Sequence, residues 1–394
     1  MSPTVTIALV WHQMNSDNLG VGALTVSNIA LLREAARQAG CTPHFLILGW
    51  RDPRPWYQTW DDVENVPLRT RHLPRPGGPL GEALGRANIV FDIGGGDSFT
   101  DLYGVKRFLT VWVTKARSHL AGKPLILSPQ TIGPFESRWS QVLARRVMQR
   151  ARFVTSRDAP STAFLADLGV TAPVLEATDV AMGLPYDPPA PRTDDTIRVG
   201  LNVSGLMMSG GYTGANQFGL ASDYPALIRR ILTWFGEQPG VEVHLVGHVQ
   251  SETQPVEDDQ RVGEALAREF PGTVVAPVFA SPSEAKTYIA GMDFFMGARM
   301  HATIAAFSAH VPVIPMAYSR KFAGVFGTLG YPHVADCRTD SDDAILERIQ
   351  NGFAARDALK TEIMDAMQGV NARLEAYVSR AAEEIAKSLP GSAQ

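Results

Sequence analysis

Cysteine is scarce in this 394-residue sequence: Cys41 and Cys337 are the only two, and they lie far apart. That excludes a disulfide framework and a cysteine-based metal site within the chain, and it points to a reducing compartment. Basic residues are not in excess either. The chain has 36 Lys and Arg against 40 Asp and Glu, with a formal charge of -4 and a pI of about 6.2, so it carries no overall electrostatic footprint for nucleic acid. No apolar run approaches the ~20 residues that span a bilayer. The first residues lack the basic start and long apolar core of a secretory signal and read as a buried strand. The expectation is a cytoplasmic protein without a transmembrane segment, able to work at the inner membrane face. Nucleotide signatures are also missing. No Gly-Lys-Ser/Thr follows a glycine-rich loop, and after Gly20 and Gly22 the third place of a G-x-G-x-x-G pattern holds Thr25, which disfavours ATP and NAD. The histidines lack partners at metal-ligand spacing, and Asp258 and Asp259 read as solvated, so neither metal nor cofactor is expected.

What is present suits packed interiors: 45% of residues are hydrophobic and 19% charged. At this length two cores are expected rather than one. Short apolar runs alternate with helical patterns throughout, the layout of parallel sheets covered on both faces. Strands are predicted at 4–10, 43–48, 88–93, 124–128, 152–155 and 173–176, then at 197–203, 241–247, 273–276, 292–296 and 311–316. The fold class is α/β, with two doubly wound Rossmann-like domains at 1–183 and 197–338. The proline-rich stretch 184–196 reads as a linker. A helical tail over 339–394 carries Leu359, Ile363, Met367, Val370, Leu374 and Val378 at helical spacing and can pack across both domains. The stretch 50–80 has no periodicity and is either a functional loop or a covering flap.

Ligands in such sheets bind outside the carboxyl ends of the strands. Four loops there stand out. After the first strand come Asp17, Asn18, Gly20 and Gly22, whose glycines let backbone N–H groups approach an anion at a helix start. After the third come Gly94, Gly95, Gly96 and Asp97, a glycine run suited to close ligand contact. The strongest constellation is Arg299 and His301, two apart where a strand meets a helix of small residues, so both can reach one pocket. Ser319, Arg320 and Lys321 follow the next strand and offer two adjacent cations.

Taken together these loops resemble the polysaccharide pyruvyl transferase family, over about residues 7 to 337. The most specific stretch is GARMHATIAAF (297–307) with VPVIPMAYSRKF (311–322), which is similar to the family's Arg-x-His helix start, Val-Pro strand and Tyr-x-x-Lys loop. Supporting matches are DIGGG (92–96), SPQTIGP (128–134) with Gln130, SRD (156–158) with Ser161, TD (178–179) and VGLNVS (199–204). One departure stands out: Val21 occupies the place of an acid in the family's first loop.

The resemblance implies a fold like that of two-domain GT-B glycosyltransferases, with the donor held between the domains. It also implies transfer of the enolpyruvyl unit of phosphoenolpyruvate to a sugar as a pyruvate ketal, in exopolysaccharide biosynthesis. Such a donor needs fixed cations, for which an Arg fork is suited, and a group that both gives and takes a proton, for which imidazole is suited. His301 is therefore assigned to acid–base chemistry, Arg299 and Lys321 to the donor's anionic groups, and Arg157, Arg320 and Ser319 to supporting places. Asp17, Asp179, Ser204 and His248 are candidates for the acceptor, which is a saccharide, lipid-linked or free. The glycine-rich loop 204–212 suits an acceptor lid. Two rival readings are a GT-B glycosyltransferase using a nucleotide sugar and a non-catalytic sugar- or anion-binding relative.

Overall fold

A computed structural model describes residues 2–75, 77–96, 99–389 and 391. The chain folds as two compact units. The first holds the residues up to Ser16, Leu24–Gly183 and the chain from Val370 onward; the second holds Asp17–Ala23 and Leu184–Gly369.

The first unit is built on a seven-stranded sheet of β1 (Thr4–Val10), β2 (Thr42–Leu48), β3 (Val63–Asn65), β4 (Ile89–Asp92), β5 (Leu125–Gln130), β6 (Phe153–Ser156) and β7 (Val174–Glu176). Its order is β3-β2-β1-β4-β5-β6-β7, with every pairing parallel. Strands such as β4, Ile-Val-Phe followed by a buried Asp92, are buried along their whole length because helices cover both faces, which is why they read as short apolar runs without alternation. Gly40, Gly122 and Gly169 end the preceding helices with φ near +70°, +68° and +69°, a conformation that disfavours other residues.

The second unit repeats the plan in six parallel strands: β8 (Ile197–Asn202), β9 (Val241–Leu245), β10 (Val274–Val275), β11 (Phe294–Gly297), β12 (Val313–Ala317) and β13 (Ala335–Asp336). Their order is β10-β9-β8-β11-β12-β13. In each sheet the winding reverses beside the first strand, between β1 and β4 and between β8 and β11. Such switch points open a crevice at the carboxyl ends of the strands. At the second one, Gly297 is paired with Asn202 so closely that a Cβ on Gly297 would lie 2.6 Å from the Cβ of Asn202.

Several segments differ from the sequence expectation. The stretch 50–80, without periodicity in the sequence, contains β3 and, among its described residues, buries Leu68 and Leu73 in the first core, while Asp62 holds Arg33 through two hydrogen bonds. The segment 184–196 is tied to the second unit rather than free: the Leu184 carbonyl accepts from Lys286 Nζ at 3.0 Å, and Arg192 grips both oxygens of Asp293. The tail is broken at Ala355 into helices Asp342–Ala354, capped by Ser341, and Arg356–Lys387. The longer helix is shared: Leu359 belongs to the second core, whereas the Tyr377 hydroxyl is hydrogen-bonded to Asn28 Oδ1 and Ser128 Oγ, both at 3.0 Å, in the first.

Candidate active site

β11 delivers the chain to the second switch point, and Asn202 at the end of β8 catches it there, its Oδ1 accepting from Arg299 N at 2.8 Å. Arg299 is the residue before helix Met300–Ser308, in extended conformation, so its side chain turns away from the helix into the crevice. There Asp259 takes Nη2 at 2.8 Å and Nε at 3.1 and 3.2 Å, and the Glu257 carbonyl takes Nη2 at 2.8 Å. Among the described residues no acceptor takes Nη1. Burial works against the Arg299 charge, but the carboxylate of Asp259 outweighs it and holds the guanidinium above its ordinary value.

Asp259 is not the solvated acid the sequence suggests. It is 2% exposed and, besides gripping Arg299, accepts from Gly205 N at 2.9 Å, Val249 N at 3.1 Å and His248 N at 3.2 Å. The neighbouring Asp258 takes the helix-capping role, accepting from Arg261 N, which leaves Asp259 in the first turn to point inward. Asp259 thus joins three loops to one guanidinium. No local pattern announces it, because its partners are 10 to 57 residues away in sequence.

His301 sits in the first turn of the same helix, partly buried. The imidazole is packed against Gly20: a Cβ there would fall 2.4 Å from His301 Nδ1. The loop 17–23 that carries Gly20 is held in the second unit by Leu19 N donating to the His248 carbonyl at 3.1 Å, Gln250 N donating to the Asp17 carbonyl at 3.0 Å, and Ser251 Oγ donating to Asp17 Oδ2 at 2.8 Å. Asp17, Asn18 and Gly20 are therefore brought beside His301 and His248. The expected anion cradle at this helix start is not available. Asn18 consumes its donors, Oδ1 accepting from Gly20 N at 2.9 Å and the carbonyl accepting from Val21 N at 3.0 Å.

His248 is buried rather than exposed, at 2%. Burial, and then the charges of His301 and Arg299, push its imidazole down to about 3, so it is neutral near neutral pH. Tyr318 opens the Tyr-x-x-Lys loop. Its ring packs on Phe218 and Phe322 with centroids 5.0 and 5.9 Å away, which fixes the loop that carries Ser319, the exposed Arg320 and the half-buried Lys321 into helix Arg320–Thr328. In the glycine-rich loop, Ser204 is buried and caps the short helix Gly205–Met208, and Tyr212 donates to Glu257. Ser204 thus caps that helix, and the 204–208 end of the loop is anchored.

The remaining candidates belong to the first unit. Gly94 and Gly95 adopt φ of +70° and +75°, and a Cβ on Gly94 would meet Gln130 Oε1 at 2.6 Å. Gln130 Nε2 donates to the Asp92 carbonyl at 2.8 Å, so Gln130 braces the loop. Gly96 closes the same short turn; Asp97 lies outside the described residues. Lys115, which the sequence reading passed over, forms a fully buried pair with Asp92 at 2.7 Å. Arg157 is 3% exposed, with Nη1 on Asp179 Oδ2 at 2.6 Å and Nε on Thr131 Oγ1 at 2.8 Å, while Asp179 Oδ1 accepts from Ala181 N. A buried guanidinium needs such a carboxylate. Arg157 and Asp179 therefore pair with each other in the first unit.

The fold is GT-B. Among solved structures, the chain is similar to UDP-GlcNAc 2-epimerase of Neisseria meningitidis bound to UDP-GlcNAc, at 10% identity and TM-score 0.59 over 96% of this chain and 99% of that one. It is also similar to Anabaena HepE in complex with UDP-glucose, at 12% identity and TM-score 0.57 over 98% and 100%. Within that class, residues 31–320 match the polysaccharide pyruvyl transferase family, and the chain belongs to it. Among curated proteins it is similar to the amylovoran biosynthesis protein AmsJ of Erwinia amylovora, 21% identical over 290 residues, which are 70% of this chain and 68% of that protein.

Proposed function

We propose that this chain transfers the enolpyruvyl unit of phosphoenolpyruvate to two hydroxyls of a saccharide, forming a pyruvate ketal and releasing inorganic phosphate. The observation that carries the reading is the meeting of Arg299 and His301 at the second switch point, with Asp259 fixing the guanidinium from behind. In the proposed reaction the methylene carbon takes a proton, which leaves an oxocarbenium-like centre at the neighbouring carbon. One sugar hydroxyl adds to that centre and loses its proton. The bond from that carbon to the phosphate oxygen breaks, and a second hydroxyl closes the ring as it loses its own proton.

His301 supplies the first proton and recovers one from the attacking hydroxyl. Arg299 presents Nη1 to a carboxylate or phosphate oxygen, and its pairing with Asp259 means that little reorganisation is needed when the anion arrives. Lys321 serves the donor's second anionic group, with Arg320 and Ser319 beside it. The saccharide acceptor approaches from the side of Asp17 and His248.

The test is incubation with phosphoenolpyruvate and a panel of glycans, reading phosphate release together with the pyruvate mass increment on the glycan. Stabilisation of the protein by UDP- or GDP-sugars alone, with no phosphate released from phosphoenolpyruvate, would overturn the reading in favour of a glycosyltransferase.

A further inference from the structure

Among the described residues, eleven large hydrophobic side chains are exposed, and seven of them fall between positions 102 and 142. Leu102 and Tyr103 precede helix Val105–Leu120, Val105 and Leu109 lie in its first two turns, and Leu120, 80% exposed, lies at its end. Trp139 and Val142 lie on helix Arg138–Met148. The two helices are joined side by side: Trp112 Nε1 donates to the Leu143 carbonyl at 2.9 Å, His119 Nε2 meets the Val147 carbonyl at 2.8 Å, and Trp139 packs edge-on against Phe108. Positions 105, 109, 112, 116 and 120 recur at helical spacing, so the apolar stripe runs the length of the first helix, about 24 Å at ~1.5 Å per residue. Between the helices is an apolar groove of about 550 Å³, with Arg146 and Arg150 among its lining residues.

The charge of this region is as uneven as its hydrophobicity. From Leu102 to Arg157 the sequence has eleven Lys and Arg and a single acid, Glu136, although the whole chain is net negative at -4. Lys106, Arg138, Arg145, Arg146, Arg150 and Arg152 are exposed. A monomer seldom leaves so much apolar surface open without a partner for it. A second copy related by a twofold axis would set cation against cation, and no acid in either helix would offset them. An anionic lipid surface supplies both halves of the complement. Its headgroups meet the guanidinium groups, and its interfacial zone takes Trp139, Tyr103 and the aliphatic stripe.

We infer that the face formed by helices Val105–Leu120 and Arg138–Met148 is a docking surface for an anionic phospholipid membrane. The assignment is independent of the pyruvyl transfer reading and uses none of the residues placed in that site.

The experiment is flotation of the full chain, without substrates, with vesicles of phosphatidylcholine alone or of phosphatidylcholine containing one-third phosphatidylglycerol. The chain is expected to float only with the anionic vesicles and to be released by high salt. Arg146→Gln with Arg150→Gln should weaken partition by about five-fold for each charge removed. Leu109→Ser with Trp139→Ser should weaken it as well. The pair Arg261→Gln and Arg268→Gln, exposed cations of the second unit, should leave it unchanged. Absence of flotation with anionic vesicles would overturn the assignment, as would equal loss in the second-unit pair. Self-association of the chain that Leu109→Ser with Trp139→Ser abolishes, without vesicle binding, would give the face to a second copy instead.

Discussion

The imidazole of His301 and the backbone of Gly20 occupy adjoining space, with 2.4 Å between Nδ1 and the point where a Cβ on Gly20 would stand. Residues 281 positions apart therefore constrain each other directly. Because the obstruction is a side-chain ring rather than backbone, Gly20→Ala should fold and shift the imidazole. Displacement of a catalytic group by about 1 Å costs ~10²-fold in rate. Phosphate release from phosphoenolpyruvate in the presence of acceptor should fall by about that factor while the thermal midpoint stays near that of the unaltered chain.

His301→Ala tests the same group by removal. Loss of a general acid–base lowers turnover by ~10²–10⁴, and His301 is only partly buried, so the circular dichroism spectrum and melting midpoint should be retained. Rates like those of the unaltered chain in such a folded variant would take His301 out of the mechanism.

Asp259→Asn should act on stability first. It leaves the Arg299 cation buried without its counterion and weakens the acceptor that serves Gly205, Val249 and His248. Breaking one partner of a buried pair costs about 3–5 kcal/mol, which urea unfolding at neutral pH would register. If instead the variant keeps its stability and only binds phosphoenolpyruvate more weakly, Asp259 orients Arg299 without holding the fold.

These two regions divide what could be read from sequence. Arg299 and His301 were legible because charged side chains directly after a fully apolar strand have no packing role to explain them. Asp259 was not, since it follows an identical residue at a helix start, where an acid ordinarily caps in water. Gly20 was legible as a constrained position but for another cause: Asn18 occupies the local donors, and the glycine is needed by a side chain from a distant helix. Likewise the β-branched run of β1 and the apolar run Phe45–Leu48 of β2 announced themselves, whereas β13, two residues long, and β3, three, are defined only by their neighbours.

Acid should destabilise the protein through its buried imidazoles. Burial pushes His12 down to about 3 from 6.5, partly opposed by its bond to the Val10 carbonyl, and His248 is likewise at about 3. Between those limits the unfolded chain binds protons that the folded chain refuses. Stability therefore declines as pH falls from 6.5 toward 3, by about 1.4 kcal/mol per pH unit for each imidazole. Urea midpoints measured from neutral to moderately acidic pH should show the decline, and His12→Gln should make it shallower.

Tyr377→Phe removes the hydroxyl that serves Asn28 and Ser128, both fully buried. Leaving buried polar groups without that partner costs about 1–3 kcal/mol, to be read as a lower urea midpoint with the aromatic packing kept.

The placement of Tyr377 also bears on synthesis. Asn28 and Ser128 leave the ribosome early, yet the hydroxyl that completes their network arrives only after all of Leu184–Gly369 has been made. The second unit can consequently finish its core while the first still waits for its last helix, reversing the usual order in which the earlier-made part of a nascent chain settles first.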